Sequence, residues 1–206
     1  VRKSGKTAGR PRKDENNLDV DRIVEAAWAV VDREGLAALS TRKVAAELGV
    51  KSPALYWHLK SKQELLSLML ERAIRESMRS PPPDLPWWEW LRAYAREQRR
   101  MLLQHRDSGQ IASIAPPTEY LRTQLMPQAM APMLDAGLSR EEAVAAVGSL
   151  ASFVLGSIIY EQNESTRKFA LSFIALEESF ERGLDCFIRG LKERGRNVDP
   201  VTHGAP

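Results

Sequence analysis

The stretch Ser40–Lys62, STRKVAAELGVKSPALYWHLKSK, constrains the fold more than any other part of the chain. It meets together the demands of two short helices that cross steeply through a tight turn. Val44 and Leu48 lie one helical turn apart, and Ala45 supplies the small side chain that close helix approach needs. Gly49 follows Leu48 where a helix-ending residue must tolerate positive φ. Val50 plugs the corner, Ser52 reads as the N-cap of the second helix and Pro53 as its first residue. Leu55 and Leu59 face inward at i, i+4. Lys51, Ser52, Ala54, Tyr56, Trp57 and His58 are then left around the exposed sides of a helix about two turns long. Three adjacent large side chains, Tyr56, Trp57 and His58, cannot all be core on so short a helix.

Charge points the same way. Residues 1–62 carry 13 Lys/Arg against 8 Asp/Glu, a net +5, whereas the whole chain carries only +3. A basic first third on a slightly acidic remainder implies a polyanionic partner for that third. Arg42, Lys43, Lys51, Lys60 and Lys62 flank the turn and suit phosphates, so the second helix is expected to enter a DNA major groove. Upstream, Arg2, Lys3, Lys6, Arg10, Arg12 and Lys13 lie in a polar segment, residues 1–17, that reads as a flexible arm. Two readings of it stay open: an arm that enters an A·T-rich minor groove, or a basic tail with general electrostatic affinity.

The rest of the chain has helical periodicity and no sustained two-residue alternation, so an all-α fold is expected. A first helix runs from Asp19 to Gly35 with Ile23, Ala27, Val30 and Val31 inward; segments Thr41–Leu48 and Pro53–Leu59 follow. Ser61–Glu64 and Ser139–Glu142 are capping boxes that open long helices. Trp87 opens another, running to about His105; Glu119–Leu134 is helical with interruptions at Pro127 and Pro132. A polar stretch, Asn163–Lys168, separates the helix ending near Gln162 from a last helix over Phe173–Arg194. The organisation expected is an arm (1–17), a helix-turn-helix DNA-binding domain (18–62), a larger helical effector-binding and dimerisation domain (63–194), and a disordered tail (195–206).

Leu39–Ala45, Leu48-Gly49-Val50 and Leu55–Lys62 closely resemble the tetracycline-repressor (TetR) family of bacterial regulators. The resemblance implies that Arg42 and residues 51–58, Pro53 among them, contact an operator and that Lys62 meets a phosphate. It also implies a two-fold symmetric homodimer on a palindromic double-stranded site. More weakly, Leu102–Asp107, Pro116–Glu119 and Phe153–Gly156 resemble the C-terminal domain of the tetracycline-repressor branch. In that branch a histidine after the Arg-Asp pair binds the magnesium of the drug complex; here that position is Ala112. The acidic metal partner would fall near Tyr160, polar drug contacts at Met78 and Tyr94, and Gln128 retains one. The resemblance therefore implies a repressor whose small-molecule effector is not magnesium–tetracycline, with no metal site and no cofactor.

From the residues alone, Met78, Trp87, Trp90, Tyr94, Gln98 and Met101 make an aromatic and Met-rich set with a few polar groups. With Ala112, Gln128 and Phe153 from the resemblance, they form the expected ligand-lining set, suited to a largely apolar molecule. Residues 143–160 carry no charge, and Gly148, Ser152 and Gly156 recur every fourth residue. Acidic flanks at both ends argue for a buried helix rather than a membrane span. Paired with the apolar stripe Phe173, Leu176, Phe180, Leu184, Phe187 and Leu191, it would build a four-helix dimer interface.

The single cysteine, Cys186, sits beside Phe187 and Ile188 and is expected to be a buried apolar thiol, consistent with a reducing cytoplasm. No apolar h-region accompanies the basic N-terminus, so a secretory signal is not expected. His105-Arg106-Asp107 is similar to a kinase catalytic loop, but no Gly-rich loop accompanies it, and the three histidines have no metal-ligand spacing. The chain is not expected to be an enzyme. An architectural DNA binder without an effector would need a shorter C-terminal part.

Overall fold

A computed structural model of the chain describes residues 18–79, 81–82 and 84–196; the basic arm (1–17) and residues 197–206 of the expected tail lie outside them. The described residues form ten α-helices and no strand, as the periodicity requires. α1 (Val20–Glu34) begins where Asp19 accepts the Arg22 N–H at 2.8 Å, and ends at Gly35, whose φ is +84°. α2 (Thr41–Glu47) and α3 (Ser52–Leu55) follow, then the long α4 (Lys62–Ser77). Ile23, Val30, Val44, Leu55, Leu59, Leu65 and Met69 close one core, which Ile111 of α6 (Ser108–Ile114) also enters. The second half of α4 contributes to a different core. There Ala73 meets Leu91 of α5 (Trp87–Leu103), Met133 of α7 (Met126–Asp135), Leu150 and Ile158 of α8 (Arg140–Gln162) and Leu184 of α10 (Leu176–Arg196). Thus α4 belongs to both bodies and can carry motion between them.

Several local expectations are altered. The α3 cap is Lys51, so Ser52 and Pro53 occupy the first turn instead of cap and first residue. At Ser61 only half of the capping box forms: its Oγ accepts the Glu64 N–H, while the Glu64 carboxylate takes the N–H of Lys60. The box at Ser139 and Glu142 is complete. The interruptions expected at Pro127 and Pro132 do not occur. A π-helical turn, Leu121–Leu125, leads directly into α7, and its wider winding accommodates the missing N–H of Pro127.

Nor is Asn163–Lys168 a simple spacer. Asn163 Oδ1 accepts the N–H groups of Ser165 and Thr166, each at 3.1 Å, and caps α9 (Glu164–Leu171). The segment reads as polar because α9 buries no residue. Phe173 precedes the last helix instead of joining it and packs edge-on against Phe169, 5.2 Å between centroids. Cys186 is exposed, not buried: Leu184 and Ile188 take the inward face of α10, and Cys186 lies on the other side. α8 is long and apolar enough to cross a membrane by length and composition, yet packs one side against α5, α6 and α7. Its other side leaves Val144, Gly148, Ser152, Gly156 and Ile159 exposed.

Candidate nucleic-acid interface and effector site

The turn between α2 and α3 is built by hydrogen bonds that a glycine makes possible. Gly49, at φ +68°, donates its N–H to Ala46 O (3.1 Å), and Val50 donates to Ala45 O (3.0 Å). This paired closure is a Schellman motif, and it consumes carbonyls that the end of α2 would otherwise leave bare. Leu55 and Leu59 anchor the following segment; the N–H groups of His58 and Leu59 both return to Leu55 O (2.9 and 2.8 Å), so the coil continues past α3. What remains outside is an aromatic and basic ridge. Trp57 is 89% exposed and Tyr56 60%, a large apolar area for a packed domain to leave in water. Lys51, Pro53, His58, Arg42 and Lys62 are exposed beside them, while Ser52 and Ala54 are half-buried.

The cations divide into two groups. Lys43 pairs closely with Glu34, whose carboxyl is held below the usual carboxylate range by Lys43 first and Arg33 second. Arg33 also reaches Glu47 at 2.9 Å. Among the described residues Arg42, Lys51, Lys60 and Lys62 form no ion pair, so their charge remains available to phosphates.

Of the expected ligand-lining residues, the structure brings three together. Trp90, Tyr94 and Gln98 occupy successive turns of α5 inside the larger core. The Trp90 and Tyr94 rings stack with centroids 5.4 Å apart, and Gln98 Nε2 donates to the Tyr94 hydroxyl at 3.3 Å. Gln98 is only 7% exposed, and its Oε1 has no hydrogen-bond partner among the described residues. Burial pushes the Tyr94 phenol well above its ordinary range, so the hydroxyl stays protonated. Met78 packs against the same core. Met101 instead lines a cleft with Trp28 and His105. Phe153 faces α10, stacked with Phe180 at 5.3 Å. Ala112 is half-buried on α6, and Gln128 is exposed on α7. The magnesium of the drug-binding branch finds no fitting donor set: Ala112 and Tyr160 stand at the implied ligand positions, and no group of three His, Cys, Asp or Glu among the described residues could hold a metal.

Two features escaped the sequence reading. Arg92, Arg96 and Arg99 of α5 pair in order with Asp185 (3.1 Å), Glu181 (2.6 Å) and Glu177 (2.5 Å) of α10. Their matched one-turn spacings on two antiparallel helices were the available signal. Arg99 is almost fully buried, also bonds Glu161 at 2.8 Å, and lies over the Phe180 ring at 4.7 Å. The second is the joint between the two bodies. Asp32 of α1 accepts the Arg106 N–H and faces His105 Nδ1, both at 2.9 Å, while Asp107 accepts the Leu36 N–H at 2.8 Å. Asp107 adopts φ +55° to do so, the only positive φ outside glycine among the described residues.

Comparison with known proteins places this geometry. A family model described as bacterial regulatory proteins of the tetR family matches residues 23–69, and one described as the tetracyclin repressor-like C-terminal domain matches residues 80–173. The class E tetracycline repressor protein of Escherichia coli is 35% identical over 147 residues, covering 70% of this chain and 69% of that protein. ActR of Streptomyces coelicolor, solved in complex with actinorhodin, superposes with a TM-score of 0.72 at 29% identity over 86% of this chain and 97% of its own. BioQ of Mycobacterium smegmatis gives 0.69 at 29% identity, covering 86% and 99%. BioQ on its natural double-stranded DNA operator gives 0.65 at 30%, covering 85% and 98%.

Proposed function

The chain belongs to the TetR family of bacterial regulatory proteins, which are regulators and not enzymes, and on that premise we propose that it is a homodimeric repressor released from a palindromic operator by a small, largely apolar molecule. Residues 18–62 read the DNA and residues 63–194 hold the effector and the dimer contact. The observation that carries the reading is the ridge at Tyr56 and Trp57, exposed beside cations that form no ion pair among the described residues, on a turn that is otherwise tightly closed. Base edges are met by Lys51, Ser52, Pro53, Ala54, Tyr56, Trp57 and His58, with Arg42 alongside; Lys62 holds a phosphate and fixes register.

The effector reading rests on Trp90, Tyr94 and Gln98. A buried amide oxygen without a partner costs free energy, and a ligand that donates a hydrogen bond to it recovers that cost. Stacked rings and Met78 supply an apolar surround, and the implied magnesium positions lack donors, so the ligand is not magnesium–tetracycline. The uncharged stretch of α8, residues 143–160, is exposed along Val144, Gly148, Ser152 and Ile159 and suits pairing with a second copy.

Regulation then follows from α4 and α5. Ligand beside Tyr94 favours one placement of α5, whose end leads into the His105–Asp107 joint that holds α1. Recognition helices must sit about 34–36 Å apart, or a multiple of that, to enter successive major grooves. A conformer with another spacing loses one half-site, and the ligand shifts the population by its differential affinity for the two conformers. Selecting duplex DNA from a random pool with the purified chain tests the reading: recovery of a palindrome supports it, and absence of any enriched sequence refutes it.

A further inference from the structure

Besides the shared α4 and Ile111, the DNA-reading body is fastened to the rest of the chain through the loop His105–Asp107, and something must set where that loop stands. The last residue of α8, Gln162, does so with its whole amide. Its Oε1 accepts the Gly109 N–H at 3.0 Å, and its Nε2 donates to His105 O at 2.8 Å and to Ser108 Oγ at 3.0 Å. Ser108 is fully buried and donates its own hydroxyl hydrogen bond to Leu102 O at 2.6 Å, so the network runs back into α5.

Steric contact reinforces the hydrogen bonds. A Cβ added at Gly109 would stand 3.0 Å from Ile159 Cγ1, 3.1 Å from Ile158 Cγ2 and 3.2 Å from Ile159 Cα, so α6 meets α8 nearly backbone to backbone. The neighbouring Glu161 is held by buried Arg99. The end of α8 is therefore tied on one side to α5 and on the other to the loop. From that loop Asp32 takes the Arg106 N–H, and Asp107 takes the Leu36 N–H of the DNA-reading body. One helix, α8, thus presents the face proposed to meet the second copy and also grips the joint to α1.

We infer that Gln162 is a positioning residue for operator spacing: it transfers the geometry of the dimer helix to the joint and so fixes the separation of the two recognition helices. It acts through its bonds to Gly109, His105 and Ser108. The inference rests on the operator reading above, and the test separates the two. A duplex selected by the wild-type chain is compared with duplexes carrying one base pair inserted or deleted at its centre. The wild type discriminates sharply among them. Gln162→Met, similar in length and without hydrogen bonds, is expected to lose about fivefold or more in affinity for the native spacer. The ratio between native and altered spacers is expected to fall to within about twofold.

A purely structural role would lower all three affinities together and leave the ratio intact, which would overturn the inference. Hydrogen exchange gives a second reading that needs no DNA: the Gly109 amide loses protection in Gln162→Met while amides of α1 keep theirs. Unchanged Gly109 protection counts against the proposal. Gln162→Glu keeps an acceptor for Gly109 and loses both donated bonds; it should hold Gly109 protection and still relax the spacer ratio. If the wild-type chain selects no duplex at all, the operator reading has failed, and only the exchange experiment bears on Gln162.

Discussion

The imidazole of His105 lies flat on the indole of Trp28, with ring centroids 4.2 Å apart and planes 17° from parallel. Trp28 belongs to α1 of the DNA-reading body and His105 to the loop that follows α5. Their contact, closed by Asp32, makes the two bodies meet through a specific polar and aromatic joint.

Removing the acceptor should open that joint. Asp32→Ala strips one partner from His105 and one from the Arg106 N–H, and the pair is half-exposed, so a loss of about 1–2 kcal/mol in stability is expected. Thermal unfolding measures the loss, and hydrogen exchange at the Arg106 amide localises it. Arg106 protection equal to wild type would show that the bond is not formed in solution.

At the operator ridge, function and stability should separate. Trp57 is almost wholly in solvent, so Trp57→Ala should change stability by no more than about 0.5 kcal/mol. Its loss of specific DNA affinity should be about 1–3 kcal/mol, roughly five- to 150-fold. Titration of the selected duplex, with a scrambled one as control, reads both specific and general binding. Equal loss on the two duplexes would remove Trp57 from base recognition.

At Gln98, stability and response should separate. Gln98→Leu deletes a buried oxygen that has no partner among the described residues, but it also strips the Nε2 hydrogen bond from the buried Tyr94 hydroxyl. The two effects oppose, so the variant should stay within about 1 kcal/mol of wild-type stability. It should also abolish release of the operator by whichever compound releases the wild type. A Gln98→Leu protein less stable by about 3 kcal/mol or more, beyond what the lost bond to Tyr94 accounts for, would mean that the amide oxygen is also satisfied in solution.

Tyr94 links the same site to alkaline pH. Its folded-state pKa is raised, so the folded chain holds a proton that the unfolded chain releases above about pH 10. The stability associated with this proton is present below that pH and is lost as pH climbs further. Tyr94→Phe should flatten the decline. Phenolate absorbance of the folded wild type and Tyr94→Phe should also coincide until unfolding; a phenol that titrates near pH 10 in the folded wild type and vanishes in Tyr94→Phe would contradict the burial.

The exposed face of α8 supplies a test of assembly. A Cβ built on Gly148 meets no described atom within 4 Å beyond its own stretch of helix, so Gly148→Arg is compatible with the fold of one chain. It should nevertheless place two guanidinium groups in the proposed contact and yield monomers by sedimentation. A Gly148→Arg chain that remains a dimer would put the contact elsewhere.

How much of this was legible depended on whether the signal was local. Gly49, Leu55 and Leu59 declare the turn because φ tolerance and one-turn spacing are properties of neighbouring residues. The continuous helix through Pro127 was hidden, since a π turn satisfies backbone groups without leaving a composition signal. Asn163 reads as a loop residue until its side chain is seen capping α9. Cys186 was misjudged because its apolar neighbours Phe187 and Ile188 occupy different faces of α10. At the effector site the aromatic positions were visible, but their grouping was not: Met101 turns to another surface and Phe153 packs on the α10 side of the core, while Trp90, Tyr94 and Gln98 stay together. The joint at Asp32 and Gln162 required contacts between residues far apart in the chain, which spacing does not encode.

The central claim is a two-fold symmetric DNA reader with Tyr56 and Trp57 at base edges. It is tested most directly by selecting duplexes with the full chain and measuring the stoichiometry and footprint on the winner. The account predicts a palindrome bound by two chains per two-fold site, with protected half-site centres about one helical turn apart or a multiple of it. A single unrepeated site protected by one chain would contradict it.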